Sequence, residues 1–249
     1  MTVLLAALAA VLVGTVLQRV SGTGVGLVVA PVLSLLMGPG AGVLATNAAT
    51  TCSGFLITLS VRRLVEWRHA AVLVTSALPG IMAGALVVRW VPSAWLQVAV
   101  GAVVLAALTI TRFSPATPRA SRRAAVAPAG LIGGFFNSTA GVAAPAMVVY
   151  SRVTRWDQVR FAATMQPVFM SMGILSTVSK LAAGVHFTLP VPALAAFAAL
   201  VATVLAGIVA GTWLAQHLSK ATAQKLAMAL AAAGGVVVLA RGAATLLLG

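Results

Sequence analysis

Gln18-Arg19-Val20-Ser21-Gly22-Thr23-Gly24-Val25-Gly26-Leu27-Val28-Val29-Ala30-Pro31 is the stretch on which the fold turns. Glycines stand at every second position from 22 to 26, hydroxyls lie beside and between them, and a proline follows, all inside otherwise apolar sequence. Each interior glycine costs a helix about 1 kcal/mol relative to alanine, and proline removes a backbone donor. The run therefore predicts a break. At membrane depth, its free amides and carbonyls would have to face protein, water or a ligand, because lipid offers no hydrogen-bond partner.

The rest of the chain puts the run at that depth. Of 249 residues, 61% are hydrophobic and 7% charged, and the mean hydropathy is +1.10. A water-soluble domain of that size carries far more charge, so the composition gives an all-α, polytopic integral membrane protein. Apolar stretches near 2–20, 40–61, 70–88, 95–111, 161–179, 190–216 and 223–240 approach or exceed the length that crosses about 30 Å of hydrocarbon at 1.5 Å per residue. Two further segments, 25–37 and 125–150, are apolar but interrupted by glycine and proline. Met1-Thr2-Val3 has no basic flank, so the first segment is expected to be retained rather than cleaved as a signal peptide.

The net charge of +14 would suggest nucleic acid in a soluble protein. Here the basic residues collect in short loops between apolar segments, the pattern of membrane orientation, and no nucleic-acid partner is expected. The only carboxylate side chains, Glu66 and Asp157, sit in arginine-bearing loops with Arg62, Arg63 and Arg68 or Arg152, Arg155 and Arg160. Cation carriers and proton pumps usually need a carboxylate inside the membrane, and none is evident. Cys52 is the single cysteine, so neither an intramolecular disulfide nor a cysteine metal cluster forms. No cofactor is called for.

Internal similarity extends the reading. Val29-Ala30-Pro31 recurs as Ala143-Ala144-Pro145, after Asn137-Ser138-Thr139-Ala140-Gly141-Val142 where the first copy has Ser21 to Gly26. Val61-Arg62-Arg63-Leu64 with His69 parallels Val178-Ser179-Lys180-Leu181 with His186, and Pro79 to Gly84 parallels Ala206 to Gly211. The order is kept, which implies two repeats of about four helical elements each, at 1–111 and 125–249, joined by a basic linker at 112–124. If 125–150 enters, bends and returns, Arg19, Arg89, Lys180 and Arg241 are the exceptions among sixteen basic residues, and twelve fall on the cytoplasmic side. The repeats are then inverted. A single kinked span over 125–150 would instead make them parallel and weaken the charge bias; the charge count favours inversion.

Inverted repeats with broken helices commonly hold a substrate at the breaks, here 18–26 and 137–141. Helix-start amides attract anions, and glycine lets a ligand approach the backbone. The candidate binding residues are Arg19, Ser21, Gly22, Thr23, Gly24 and Gly26 at the first break, and Asn137, Ser138, Thr139 and Gly141 at the second. Asn47 and Thr51 join them from the polar run Thr46 to Ser53, where Asn47, Thr50 and Thr51 share a helix face, and Gln166 from its counterpart. Arg19 has an equally good account as an interfacial residue. Gly80, Gly84, Gly207 and Gly211, spaced small-xxx-small with no polar neighbour, are expected to serve helix packing.

The SGTGVGLVVAP run, its copy NSTAGVAAP after a basic linker, the EWRHA loop and the LPGIMAG helix together resemble the sulfite exporter TauE/SafE family. The resemblance covers nearly the whole chain. It implies a secondary carrier for a small sulfur-containing anion, such as sulfite, sulfoacetate or a related organosulfonate, in a bacterial inner membrane. Ser138 and Ala140 stand where glycines are commoner in the family, so substrate choice is open. Partners implied are a small anion and the lipid bilayer, with a homodimer compatible with both. Passive anion channels and carriers of non-sulfur anions are the rival readings. An intramembrane enzyme lacks any carboxylate pair, nucleophile elbow or metal cluster to work with.

Overall fold

The computed structural model describes residues 2–21, 25–113, 120–185 and 192–248. They form ten helices and, among the described residues, no strand: α1 Thr2–Ser21, α2 Val25–Met37, α3 Pro39–Val61, α4 Trp67–Trp90, α5 Ser93–Phe113, α6 Arg122–Ala140, α7 Ala144–Val153, α8 Gln158–Ala182, α9 Ala193–Leu214 and α10 Lys220–Leu248. Seven of them, α1, α3, α4, α5, α8, α9 and α10, are long and apolar enough to cross a membrane, and they coincide with the seven apolar stretches of the sequence. Five helices precede residue 114 and five follow residue 119, against about four expected on each side, because 25–37 forms a helix of its own and 125–150 forms two. Helix also continues through 112–113 and resumes at 122, so the joining stretch is shorter than 112–124.

Local chemistry sets the ends. Pro39 opens α3 after Gly38 at φ 82°, a left-handed conformation that suits glycine. Ser121 caps α6 by accepting from the Ala124 amide at 3.2 Å, and Asp157 caps α8 by accepting from the Arg160 amide at 3.0 Å. Gly141 at φ 73° closes α6.

The two interrupted segments both double back. The Ala120 amide donates to the Val153 carbonyl at 2.9 Å, which puts the end of α7 beside the start of α6, so 125–150 folds back on itself. Along α2, Val25, Val29 and Leu33 pack with Val11 of α1, and Val25 and Val29 border Gly14, so α2 runs back along α1.

Glycines let neighbouring helices come close. An added Cβ at Gly80 would strike the Leu131 carbonyl and one at Gly134 the Ala77 carbonyl, while Gly84 abuts Ser138; these contacts join α4 to α6. Gly207 meets Thr15 and Gly211 meets Arg19, joining α9 to α1. The four glycines expected to serve packing do so. A third seam, α5 on α10, closes through Gly101 against Gly235 and Leu239 and through Gly242 against Ala94 and Gln97. Outward, α9 exposes Leu194, Phe197, Leu205, Val209 and Trp213, side chains that lipid rather than water would cover.

One end of the bundle gathers the basic loops. Glu66 accepts from Arg122 Nη1 at 3.0 Å and from the Trp156 indole at 2.9 Å, and Arg152 donates to the Ile110 carbonyl at 3.2 Å. Arg241, near the end of α10, donates instead to the Leu35 carbonyl, which lies two residues from the end of α2 at the opposite end of the bundle.

Candidate functional site

The last turn of α6 carries Asn137, Ser138 and Thr139, all buried. Helix continues through Ala140, so the break is at 141–143 rather than 137–141. Polar side chains alone do not interrupt a helix: Thr139 returns its hydroxyl to the Phe135 carbonyl at 2.8 Å, and Asn137 points its amide across to α3. The amides of 138–140 are spent inside α6, and that of Gly141 bonds the Asn137 carbonyl at 3.0 Å. They are not available to an anion. The available donors are those at the start of α7, where Ala144 and Ala146 lie in the first turn and have no carbonyl one turn earlier to bond.

The start of α2 meets this second break. A Cβ on Gly26 would strike the Gly141 carbonyl, and Thr46 of α3 covers both glycines. Beside this contact, Gly26 and Leu27 from the first turn of α2 and Ala143 and Ala144 from the start of α7 border a cavity of about 10 Å³, room for one water. Thr50, Asn137, Gly141, Val142 and Phe169 complete its wall. Thr50 and Phe169 lie near the middles of α3 and α8. The Thr50 hydroxyl is buried with no hydrogen-bond partner among the described residues. Two helix starts, each with partial positive charge, thus converge on one polar-edged cavity that has an unspent hydroxyl in its wall.

A file of hydrogen bonds leaves the cavity along the seam between α3 and α8. Asn137 Nδ2 donates to Asn47 Oδ1 at 3.3 Å, and Asn47 Nδ2 donates to Ser176 Oγ at 2.8 Å. Asn47 and Ser176 are 0% exposed and Asn137 2%. One turn past Ser176 stands Lys180, 0% exposed, its ammonium without a hydrogen-bond partner among the described residues.

The other expected residues divide. Gly26, Asn137 and Gly141 line the cavity, and Asn47 is one hydrogen bond away. Thr51 turns to the seam, with Oγ1 3.5 Å from the Met170 carbonyl, so its neighbour Thr50 takes the cavity position. Ser138 faces α4 at Gly84, its hydroxyl without a partner among the described residues. Gln166 donates to Ala162 and accepts from Gln18 at 3.3 Å, tying α8 to α1 outside the cavity wall. Arg19 bonds Thr212 at 3.0 Å, in the last turn of α9, and does not reach the cavity. Gly22, Thr23, Gly24 and the Ser21 side chain lie outside the described residues, as does His186. Sequence reasoning missed Ser176 and Lys180. Both lie in the polar-dotted second half of α8, beside Thr177 and Ser179.

At the basic end, a second cluster locks the starts of α4, α6 and α8 to the end of α7. Besides its bonds to Arg122 and Trp156, Glu66 donates its amide to Thr164 at 3.0 Å. His69 Nε2 and the Tyr150 hydroxyl lie 2.6 Å apart, and the Arg122 guanidinium stacks 4.9 Å from the Trp156 ring. Glu66 is balanced by Arg122 in the only ion pair among the described residues. Asp157 serves as the cap of α8. The described residues contain no group of three or more His, Cys, Asp or Glu placed to hold a metal.

The cavity therefore offers donors and partial positive charge but no carboxylate, which suits a small anion and repels nothing of negative sign. A sequence-family profile described as Sulfite exporter TauE/SafE matches residues 6–238 of the chain. Searches of curated proteins and of solved structures find no match.

Proposed function

The chain belongs to the sulfite exporter TauE/SafE family of membrane transporters, and from that premise we propose that it is a secondary carrier moving a small sulfur-containing anion across a bacterial inner membrane by alternating access. The observation that carries this reading is the convergence of the first turns of α2 and α7 on one cavity edged by Thr50 and Asn137. A sulfite or sulfonate group presents three oxygens in a cone. Helix-start amides, a hydroxyl and a carboxamide are donors of the right kind for them. Room for one water is less than a sulfite needs, so loading requires the contact between Gly26 and Gly141 to open.

The carrier consists of two inverted halves, with the basic end cytoplasmic. Helix pairing supports this: exchanging the first five helices for the second five keeps the principal pairs, and the counterparts α3 and α8 run antiparallel, with Asn47, Thr51 and Gly54 meeting Ser176, Met170 and Gln166 in turn. The opposite courses of α2 and α7 along their partners agree.

Proteoliposomes loaded with unlabelled sulfite or sulfoacetate test the carrier. Saturable counterflow of labelled substrate is the expected result; flux that does not saturate, accompanied by single-channel currents, would make it a channel. A thermal-shift panel of sulfite, thiosulfate, sulfoacetate, taurine and carboxylate analogues tests the substrate class, since a ligand of the folded state raises apparent stability. Stabilisation by carboxylates alone would overturn it.

A further inference from the structure

Resting on that carrier reading, we infer that Lys180 is a second anion contact, the charged end of a polar file leading from the central cavity toward the end of the bundle opposite the basic loops. Lys180 lies in the last turn of α8, two residues before its end at Ala182. Two ordinary accounts exist for a lysine there. The negative end of the helix dipole favours a cation, and a long side chain near a membrane surface can carry its ammonium out to water. Both leave the charge solvated. Here the side chain is 0% exposed and Nζ has no hydrogen-bond partner among the described residues.

Among the described residues Lys180 is the one fully buried charged side chain. A cation withdrawn from water without a counter-charge opposes folding, and inside a membrane protein such a residue calls for a functional partner. The protein supplies no acid. Of the two carboxylate side chains in the chain, Glu66 pairs with Arg122 and Asp157 caps the far end of α8. The partner has to arrive, and the only negative species the proposed function brings is the substrate.

Position gives the order of events. Ser176 stands four residues before Lys180 on the same face of α8 and bonds Asn47, which bonds Asn137 in the cavity wall. Phe169, which also lines the cavity, is eleven residues before Lys180, about 16 Å along the helix axis at 1.5 Å per residue. Lys180 therefore does not share the central site. It meets an oxyanion when α3 and α8 part at that end, drawing it along the file from Asn137. In the arrangement of this structure that end is closed over the ammonium.

The experiment compares the purified full-length protein with Lys180→Met, Lys180→Gln and Lys180→Arg, by thermal shift and by counterflow, using sulfite, sulfoacetate and acetate. Lys180→Met should fold with an unliganded melting temperature equal to or above that of the parent, because it removes an unpaired buried charge. Its apparent affinity for the anion should fall about 10- to 100-fold, the worth of one charge-assisted hydrogen bond. Lys180→Gln should fall in the same direction, and Lys180→Arg should retain most of the response. An unchanged anion response in Lys180→Met overturns the assignment, and so does a lowered unliganded melting temperature with the response intact, which is the mark of a structural lysine. The carrier reading is separable: if the parent answers to acetate alone and Lys180→Met abolishes that answer, the sulfur-anion class falls while the role of Lys180 stands. A parent that answers to no anion removes both.

Discussion

At the scale of the residue, the critical contact involves no side chain at all. Gly26 touches the carbonyl of Gly141, so a methyl group added at 26 strikes backbone that cannot rotate away. Gly26→Ala should cost counterflow at least tenfold while the protein still reaches the membrane, whereas Gly40→Ala, whose Cβ would meet nothing within 4 Å, should transport normally. Equal activity in the two variants would dissociate the glycine contact from transport. A second residue-scale expectation concerns Asn47, which is bonded to both Asn137 and Ser176. Asn47→Leu leaves the Asn137 amide buried without an acceptor, and the loss should be about 1–3 kcal/mol, read as a lower melting temperature in detergent. Gly26 and Gly141 were legible in the sequence because glycine beside a polar run inside apolar sequence has few other uses. Thr50 and Thr51 were not separable, since adjacent helix positions differ by about 100° and only packing decides which one faces a cavity. Ser176 and Lys180 left almost no trace, because in the polar run Ser176 to Lys180 only packing decides which side chains are buried.

At the scale of the element, hydropathy located all seven long helices, since a span must be apolar over most of its length. The break was misplaced by a few residues for a reason that generalises. The composition of Asn137 to Thr139 looks interruptive, but Asn137 and Thr139 make bonds that leave the helix intact, and it is the left-handed turn at Gly141, φ 73°, that ends α6. The helix starts at the basic end are held by Glu66. Its ion pair with Arg122 is partly solvated, with side chains 40% and 23% exposed, and is discounted accordingly; its bond to the buried Trp156 indole carries more. Glu66→Ala should therefore lower stability by about 1–2 kcal/mol, and Glu66→Gln, which keeps an acceptor for the indole, by clearly less. Thermal melts of both variants decide it: equal losses would mean that the charge, not the indole bond, holds the junction.

At the scale of the whole molecule, the most extensive helix pairs join one group of five to the other. α4 packs on α6, α1 on α9 and α5 on α10, so the line that divides the sequence is not a line along which the structure comes apart. Cutting the chain within 114–119 and expressing both pieces together should give halves that copurify and support counterflow. Gly80→Leu in the first piece, which drives a side chain into the Leu131 backbone, should reduce their recovery as a pair. Copurification unaffected by that substitution would show the α4–α6 seam to be dispensable. The interlacing also bears on biosynthesis. A ribosome delivers α1 to α5 first, and at that stage the groove of α4 formed by Gly80 and Gly84 has nothing but acyl chains against it. That groove stays open in the bilayer until α6 is inserted and displaces those chains. α10, made later still, packs on α5, so the order of synthesis leaves that seam open until α10 has been inserted.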